Sequence, residues 1–149
     1  MAQHFLLSAA ARSLNPSKVM RMSDRRAEKV FARLRWPQTD GKPVCPRCGG
    51  STCYSCPRSA DQPRWRCKAC RADFSITSGT LFASHKLPLK NYLMAIATFC
   101  NHENGKSMLA FSRDLGVQYR TAFALAHKLR EAMIEPPARR PHETLSAFQ

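Results

Sequence analysis

The chain has 149 residues, with 24 lysines and arginines against 10 aspartates and glutamates, for a formal net charge of +14. That length holds one ordinary domain or a few small modules, and the charge suits a polyanionic partner such as nucleic acid. The seven cysteines all fall between Cys45 and Cys100, which points to a reducing interior and against a secreted disulfide scaffold. The apolar run from Phe5 to Ala11 has no basic residue before it and lacks the longer apolar core of a secretory signal. No stretch approaches the ~18 apolar residues of a membrane span, so a soluble, cytoplasmic protein without a membrane partner is expected.

Residues 1–22 show little periodicity and read as a loosely ordered N-terminus. A helix is expected over 23–36, with Ser23 as N-cap and Asp24 facing the positive helix end. Ala27, Val30, Phe31 and Leu34 fall on one face of it at i, i+3, i+4, i+7 spacing, and Arg25, Arg26, Lys29 and Arg33 on the other. Trp36-Pro37 ends this helix, because a residue before proline is driven out of the α region.

Residues 37–82 carry two CxxC pairs, Cys45-Pro46-Arg47-Cys48 and Cys67-Lys68-Ala69-Cys70, with eighteen residues between them. That separation falls within the ~15–20 residues typical of a four-cysteine zinc site. A structural Zn²⁺ takes about four tetrahedral ligands, and each CxxC turn supplies half the shell. Cys45, Cys48, Cys67 and Cys70 are therefore the candidate ligands, with Gly49-Gly50 letting the backbone fold back beneath the metal. A redox CxxC normally stands alone at a helix start within a βαβ pattern, which is absent here. Cys53 and Cys56 form a third CxxC that can replace the first pair, hold a second ion or stay free; the glycines after Cys48 favour the first pair. The module reads as β-hairpins, with Phe74 and Ile76 alternating against Asp73, Ser75 and Thr77 as in a half-buried strand. The segment from Pro57 to Pro63 reads as a loop between the arms. So small a module buries little apolar surface, and metal must supply much of its folding free energy.

Three helices are expected over 86–134. Pro88 suits a first helical turn, and Leu89, Tyr92, Leu93, Ile96, Phe99 and Cys100 make an apolar stripe. Cys100 reads as a small buried hydrophobe rather than as a ligand with His102, and Asn104-Gly105 closes the helix. Ser107 to Leu115 places Met108, Phe111 and Leu115 on one face. After Gly116 a helix from Gln118 to about Met133 buries Ala122, Leu125, Ala126, Leu129 and Met133. Two helices joined by a short turn with glycine make a helix-turn-helix unit, with Ser112 where the two cross. The second helix then meets base edges through its N-terminal residues, Gln118, Tyr119 and Arg120, with Phe123 and His127 further along. Arg120 suits a bidentate contact to guanine and Gln118 one to adenine. Lys106, Arg113, Lys128 and Arg130 are placed for phosphates. Prolines after Glu135 open a tail over 135–149.

With these residues in view, the chain resembles the N-terminal part of zinc-ribbon insertion-sequence transposases, bacterial enzymes with a catalytic domain of the DDE type. The resemblance rests on Phe31-Ala-Arg-Leu-Arg-Trp36, Val44-Cys-Pro-Arg-Cys-Gly49 and the run from Trp65 to Phe82, and extends through Lys86-Leu-Pro-Leu89, Leu115 to Ala122 and His127 to Met133. It implies an α+β fold in which a small zinc ribbon of β-hairpins is preceded by one helix and followed by a three-helix helix-turn-helix module. It also implies Zn²⁺ as cofactor, and as partners double-stranded DNA at element ends and full-length transposase. The ten acidic residues are scattered, with no group placed to clamp the two metal ions of strand transfer. The expectation is the DNA-binding part of a truncated or split transposase with no catalysis of its own. Alternatives are a partner of a separately encoded catalytic subunit and a free-standing zinc-ribbon transcription or RNA-associated protein.

Overall fold

Short polar caps start the chain's first two helices. Ser8 Oγ accepts the Ala11 N–H at 3.2 Å to open α1 (Ala9–Arg12). Asn15 Oδ1 accepts the Ser17 N–H at 2.9 Å to open α2 (Pro16–Met20), with Pro16 in the first turn where its missing N–H costs nothing. The computed structural model describes residues 8–57, 63–83, 87–101 and 106–134. The expectation of a loosely ordered stretch up to residue 22 is thus corrected over 8–22, and three helices rather than one precede the sheet. The reason is tertiary. Each helix contributes one fully buried residue, Ala11 or Val19, and both pack on the later helix α4. An element with one apolar anchor shows no periodicity.

Helix α3 (Asp24–Arg35) buries Ala27, Phe31 and Leu34 and leaves Arg25, Arg26, Lys29 and Arg33 in solvent. Ser23 precedes it without a side-chain cap bond. Beyond Trp36 a 3-10 turn (Pro37–Thr39) leads into left-handed Asp40, and the Arg33–Asp40 ion pair (3.4 Å) lies across the turn.

Three strands form an antiparallel sheet in chain order: β1 (Cys53–Ser55), β2 (Arg64–Cys67) and β3 (Asp73–Ser75). Strands of three or four residues bury little, and aromatic contacts extend their core. Trp65 lies opposite Phe74 in the register with ring centroids 6.0 Å apart, and meets Trp36 edge-on at 5.8 Å. Arg35 ties the end of α3 to the turn after β3, donating to the carbonyls of Ser75 (3.1 Å), Ile76 and Ser78. Burial lowers its pKa to about 10, which leaves it charged at neutral pH.

Helix α4 (Leu89–Asn101) is the hub. Tyr92, Leu93 and Ile96 are buried as the stripe requires, but Ala95, Ala97 and Thr98 are buried too, since α1, α2 and α3 pack on this helix as well as α5 and α6. Phe82 links the sheet to the helices, touching Phe31 at 5.8 Å and Tyr92 at 4.7 Å between centroids. One apolar core therefore runs from Cys45 and Phe74 through Phe31 and Phe82 to Leu129. Fully burying a side chain like Phe82 contributes about 1.5–3 kcal/mol.

Helices α5 (Met108–Leu115) and α6 (Tyr119–Ile134) complete the fold. Ser107 Oγ caps α5 by accepting the Ala110 N–H at 3.2 Å. Gly116 ends it in the left-handed region (φ 61°), and the Val117 N–H returns to Ser112 O at 3.1 Å. Ser112 is buried and donates to Leu109 O at 2.8 Å, while Asn91 Nδ2 of α4 donates to Leu115 O at 3.1 Å. The tail, His102 and the Asn104-Gly105 helix stop lie outside the described residues. No helix among the described residues is long and apolar enough to cross a membrane.

Candidate metal centre and nucleic-acid interface

The two CxxC turns share one backbone design. In the first, the Gly49 N–H donates to Cys45 O (2.9 Å) and the Cys45 N–H to Gly50 O (3.0 Å). In the second, the Arg71 N–H donates to Cys67 O and the Cys67 N–H to Ala72 O, both at 3.0 Å. Each turn needs a left-handed residue one place after its second cysteine: Gly49 (φ 72°) in one and Arg71 (φ 58°) in the other. A Cβ on Gly49 would meet nothing within 4 Å, so backbone conformation rather than space calls for glycine. Arg71 adopts the same conformation at a cost of about 1–2 kcal/mol.

These turns bring the sulfurs of Cys45, Cys48, Cys67 and Cys70 within 4.8 Å of one another, with Cys45···Cys70 and Cys48···Cys67 at 3.5 Å. A tetrahedron of thiolates around zinc has S···S edges of about 3.8 Å, given Zn–S near 2.3 Å. The donor set fits such an ion, and the cluster is a metal-binding one. Its electrostatics suit a cation. The Cys70 amide, with that of Ala69, outweighs burial and holds Cys67 down to about 6. Burial pushes Cys45 up, but the amides of Cys48 and Arg47 bring it below its ordinary value. The Gly50 amide pulls Cys48 down, yet the sulfurs of Cys67 and Cys70 drive it up to about 12. Adjacent thiolates repel, and a dication removes the conflict by displacing the remaining protons.

Cys53 and Cys56 lie outside this group. Cys53 pairs with Cys67 across the β1–β2 ladder and gives its thiol hydrogen to Gly50 O at 3.6 Å. Burial and the neighbouring Cys67 charge raise its pKa, so it stays neutral. Cys56 donates its backbone N–H to Arg64 O at 2.8 Å. Burial raises the Cys100 pKa on α4, against a smaller lowering by Arg12.

Residues whose importance the sequence concealed hold the centre in place. A Cβ on Gly79 (φ 75°) would sit 2.9 Å from Pro46 Cβ, so the turn after β3 closes directly on the first CxxC turn. Ser78-Gly79 had marked only the end of a strand. Arg35, at the end of a helix whose other arginines face solvent, gave no sign of its three carbonyl partners.

The second candidate surface is on α6. Ala122, Leu125, Ala126 and Leu129 are buried, while Gln118 (before the first turn), Tyr119, Arg120, Phe123 and His127 are all exposed. The fraction exposed is 53% for Tyr119 and 43% for Phe123, large for aromatics on a helix packed into a core. Tyr119 stacks on Phe123 with centroids 6.2 Å apart, and His127 meets Phe123 at a tilt of 56° with centroids 4.8 Å apart, so the three rings follow one another along the outer face. Arg113 and Arg130 are exposed, and Arg130 approaches the Phe99 ring at 6.0 Å. Lys128 is half-buried. Lys106 is held by an ion pair to Asp114, which offsets the charge it can offer a phosphate.

The two CxxC turns on a three-stranded sheet, followed by α5 and α6 joined by a short glycine turn, make an α+β fold of the zinc-ribbon type with a helix-turn-helix arrangement of its last two helices. Residues 22–73 match the family model described as the transposase zinc-ribbon domain. The chain is also similar to an uncharacterized protein in transposable element ISH50 of Halobacterium salinarum, with 26% identity over 121 residues. That alignment covers 81% of this chain and 38% of the relative, so the chain spans well under half of the relative's length. The relative's archaeal source extends the resemblance beyond the bacterial elements from which it was drawn. No solved structure matches the chain.

Proposed function

We propose that this chain recognises double-stranded DNA at the ends of a transposable element, with Cys45, Cys48, Cys67 and Cys70 holding one Zn²⁺ that builds the ribbon. The observation that carries the reading is the outer face of α6. Its inner face is locked into the core, while Gln118, Tyr119, Arg120, Phe123 and His127 stand in solvent on a chain of net charge +14. Rings on three successive turns of one exposed face suit a covering partner, and a recognition helix presents these residue types to base edges. Arg120 is the candidate for a guanine edge and Gln118 for an adenine edge, while Phe123 is suited to a thymine methyl. Arg113, Lys128 and Arg130 are the candidate phosphate contacts, with a lesser part for Lys106.

Zinc, when bound, supplies charge and geometry to the fold. Three of the six described acidic residues are engaged in ion pairs: Asp40 with Arg33, Asp73 with Arg66 and Asp114 with Lys106. In this reading the described residues recognise DNA and take no part in strand cleavage. Full-length transposase is the proposed protein partner, and the cytoplasm the proposed compartment. Fluorescence anisotropy with a duplex bearing an element end, a scrambled duplex and a matching RNA duplex tests the reading. Tighter binding to the end duplex is expected, with log affinity falling linearly as log salt rises. Equal binding to both DNA duplexes, an affinity indifferent to salt, or preference for RNA would each contradict it.

A further inference from the structure

A second basic surface lies on the ribbon and includes none of the α6 residues named above. Tyr54, Arg66, Cys67, Lys68 and Arg71 line an open hollow of about 550 Å³ beside β1, β2 and the second CxxC turn. Its cations are of two kinds. Arg66 is fixed by a bidentate bond to Asp73 (2.5 and 2.8 Å), so its charge is largely answered. Lys68 and Arg71 are exposed, and no described acidic residue pairs with either.

Arg71 stands where the equivalent turn has Gly49, in a left-handed conformation that favours glycine. The backbone therefore gains nothing from an arginine at this position, and what the residue adds is the reach and charge of its side chain. We propose that this hollow is a second DNA contact, in which Lys68 and Arg71 bind backbone phosphates of the duplex read by α6, alongside Tyr54 and the fixed Arg66. The inference rests on the reading of α6 as a duplex-reading helix and adds a ribbon footprint to it. Phosphates rather than bases are the target, because two exposed cations on a turn position a duplex without reading its sequence.

One rival explanation arises from the metal itself. Four thiolates and Zn²⁺ carry a net charge of −2, and nearby cations can offset it. Arg71→Gly separates the two, since it removes the charge while suiting the backbone. The experiment uses the full zinc-loaded chain, end and scrambled DNA duplexes, and a salt series. Arg71→Gly is expected to keep wild-type zinc affinity and an equal or higher melting temperature. It should lose about tenfold in affinity for both duplexes alike, with the salt slope shallower by about one. Lys68→Ala should behave similarly. Wild-type affinity and slope in both variants would overturn the inference, as would weakened zinc binding with DNA binding unchanged. If Arg120→Ala loses preference for the end duplex while Arg71→Gly binds as wild type does, the inference falls and the proposed function stands. If the wild-type chain binds neither duplex, the proposed function itself has failed.

Discussion

The ribbon and the helical part solve the same stability problem with different means. The helices bury Tyr92, Leu93, Ile96, Phe111, Leu125 and Leu129 almost completely, and this burial is what holds them together. The sheet has strands of three, four and three residues, in which only Cys67 and Phe74 are buried, with Ile76 just beyond β3. Its two CxxC turns converge on thiols that repel one another as they ionise. One region is built by burial and the other is proposed to rely on a cation, and Phe31 and Phe82 join them into one core.

That contrast can be broken most severely at the metal. Cys67→Ser, or zinc removal by a chelator, should unfold the ribbon, because structural zinc contributes roughly 10–16 kcal/mol in small modules. Helices α4–α6 should stay largely folded. Circular dichroism keeping most of its helical signal while the Trp65 environment is lost would agree; an intact ribbon with undiminished zinc binding would mean a wrong ligand set. Acid should act along the same route. The Cys67 pKa is depressed from 9.0 to about 6, so the stabilisation from its thiolate is fully present above about 9 and is lost as pH falls through about 6. Zinc affinity should therefore fall with falling pH, and titration with a chromophoric chelator should show more protons released per zinc at lower pH.

Smaller perturbations sharpen the comparison. Gly79→Ala puts a Cβ against Pro46 in a left-handed turn, and should destabilise the ribbon by about 1–3 kcal/mol in denaturant melts while leaving the intrinsic order of α6 unchanged. Arg120→Ala is expected to cost about 1–3 kcal/mol at one base pair and relax preference there. Lys128→Ala should weaken binding to all duplexes about equally, and similar behaviour of the two in a competition assay would undermine the recognition-helix assignment. Lys106→Ala should matter least for folding, since an exposed pair such as Lys106–Asp114 is worth only about 0–1 kcal/mol.

What the sequence made legible follows the same division. CxxC spacing is a covalent pattern that encodes a metal site directly, so Cys45, Cys48, Cys67 and Cys70 could be grouped before any fold was known. The amphipathic stripe of α3 and the glycine stop at Gly116 are local and were equally readable. The helices α1 and α2 were not, because single anchors such as Ala11 and Val19 have meaning only once α4 lies beneath them. The apolar stripe of α4 was read as one face, yet Ala95 and Ala97 are buried by helices distant in sequence. Arg35 and Gly79 were invisible for a similar reason, since their partners lie across the fold. Arg71 became notable only when its backbone could be set beside that of Gly49.

The claim that a cation builds the ribbon is tested most directly by X-ray absorption at the zinc edge of the purified chain. One zinc per chain with about four sulfur neighbours near 2.3 Å is predicted. A shell with nitrogen or oxygen in place of sulfur, or a folded chain without stoichiometric metal, would contradict it.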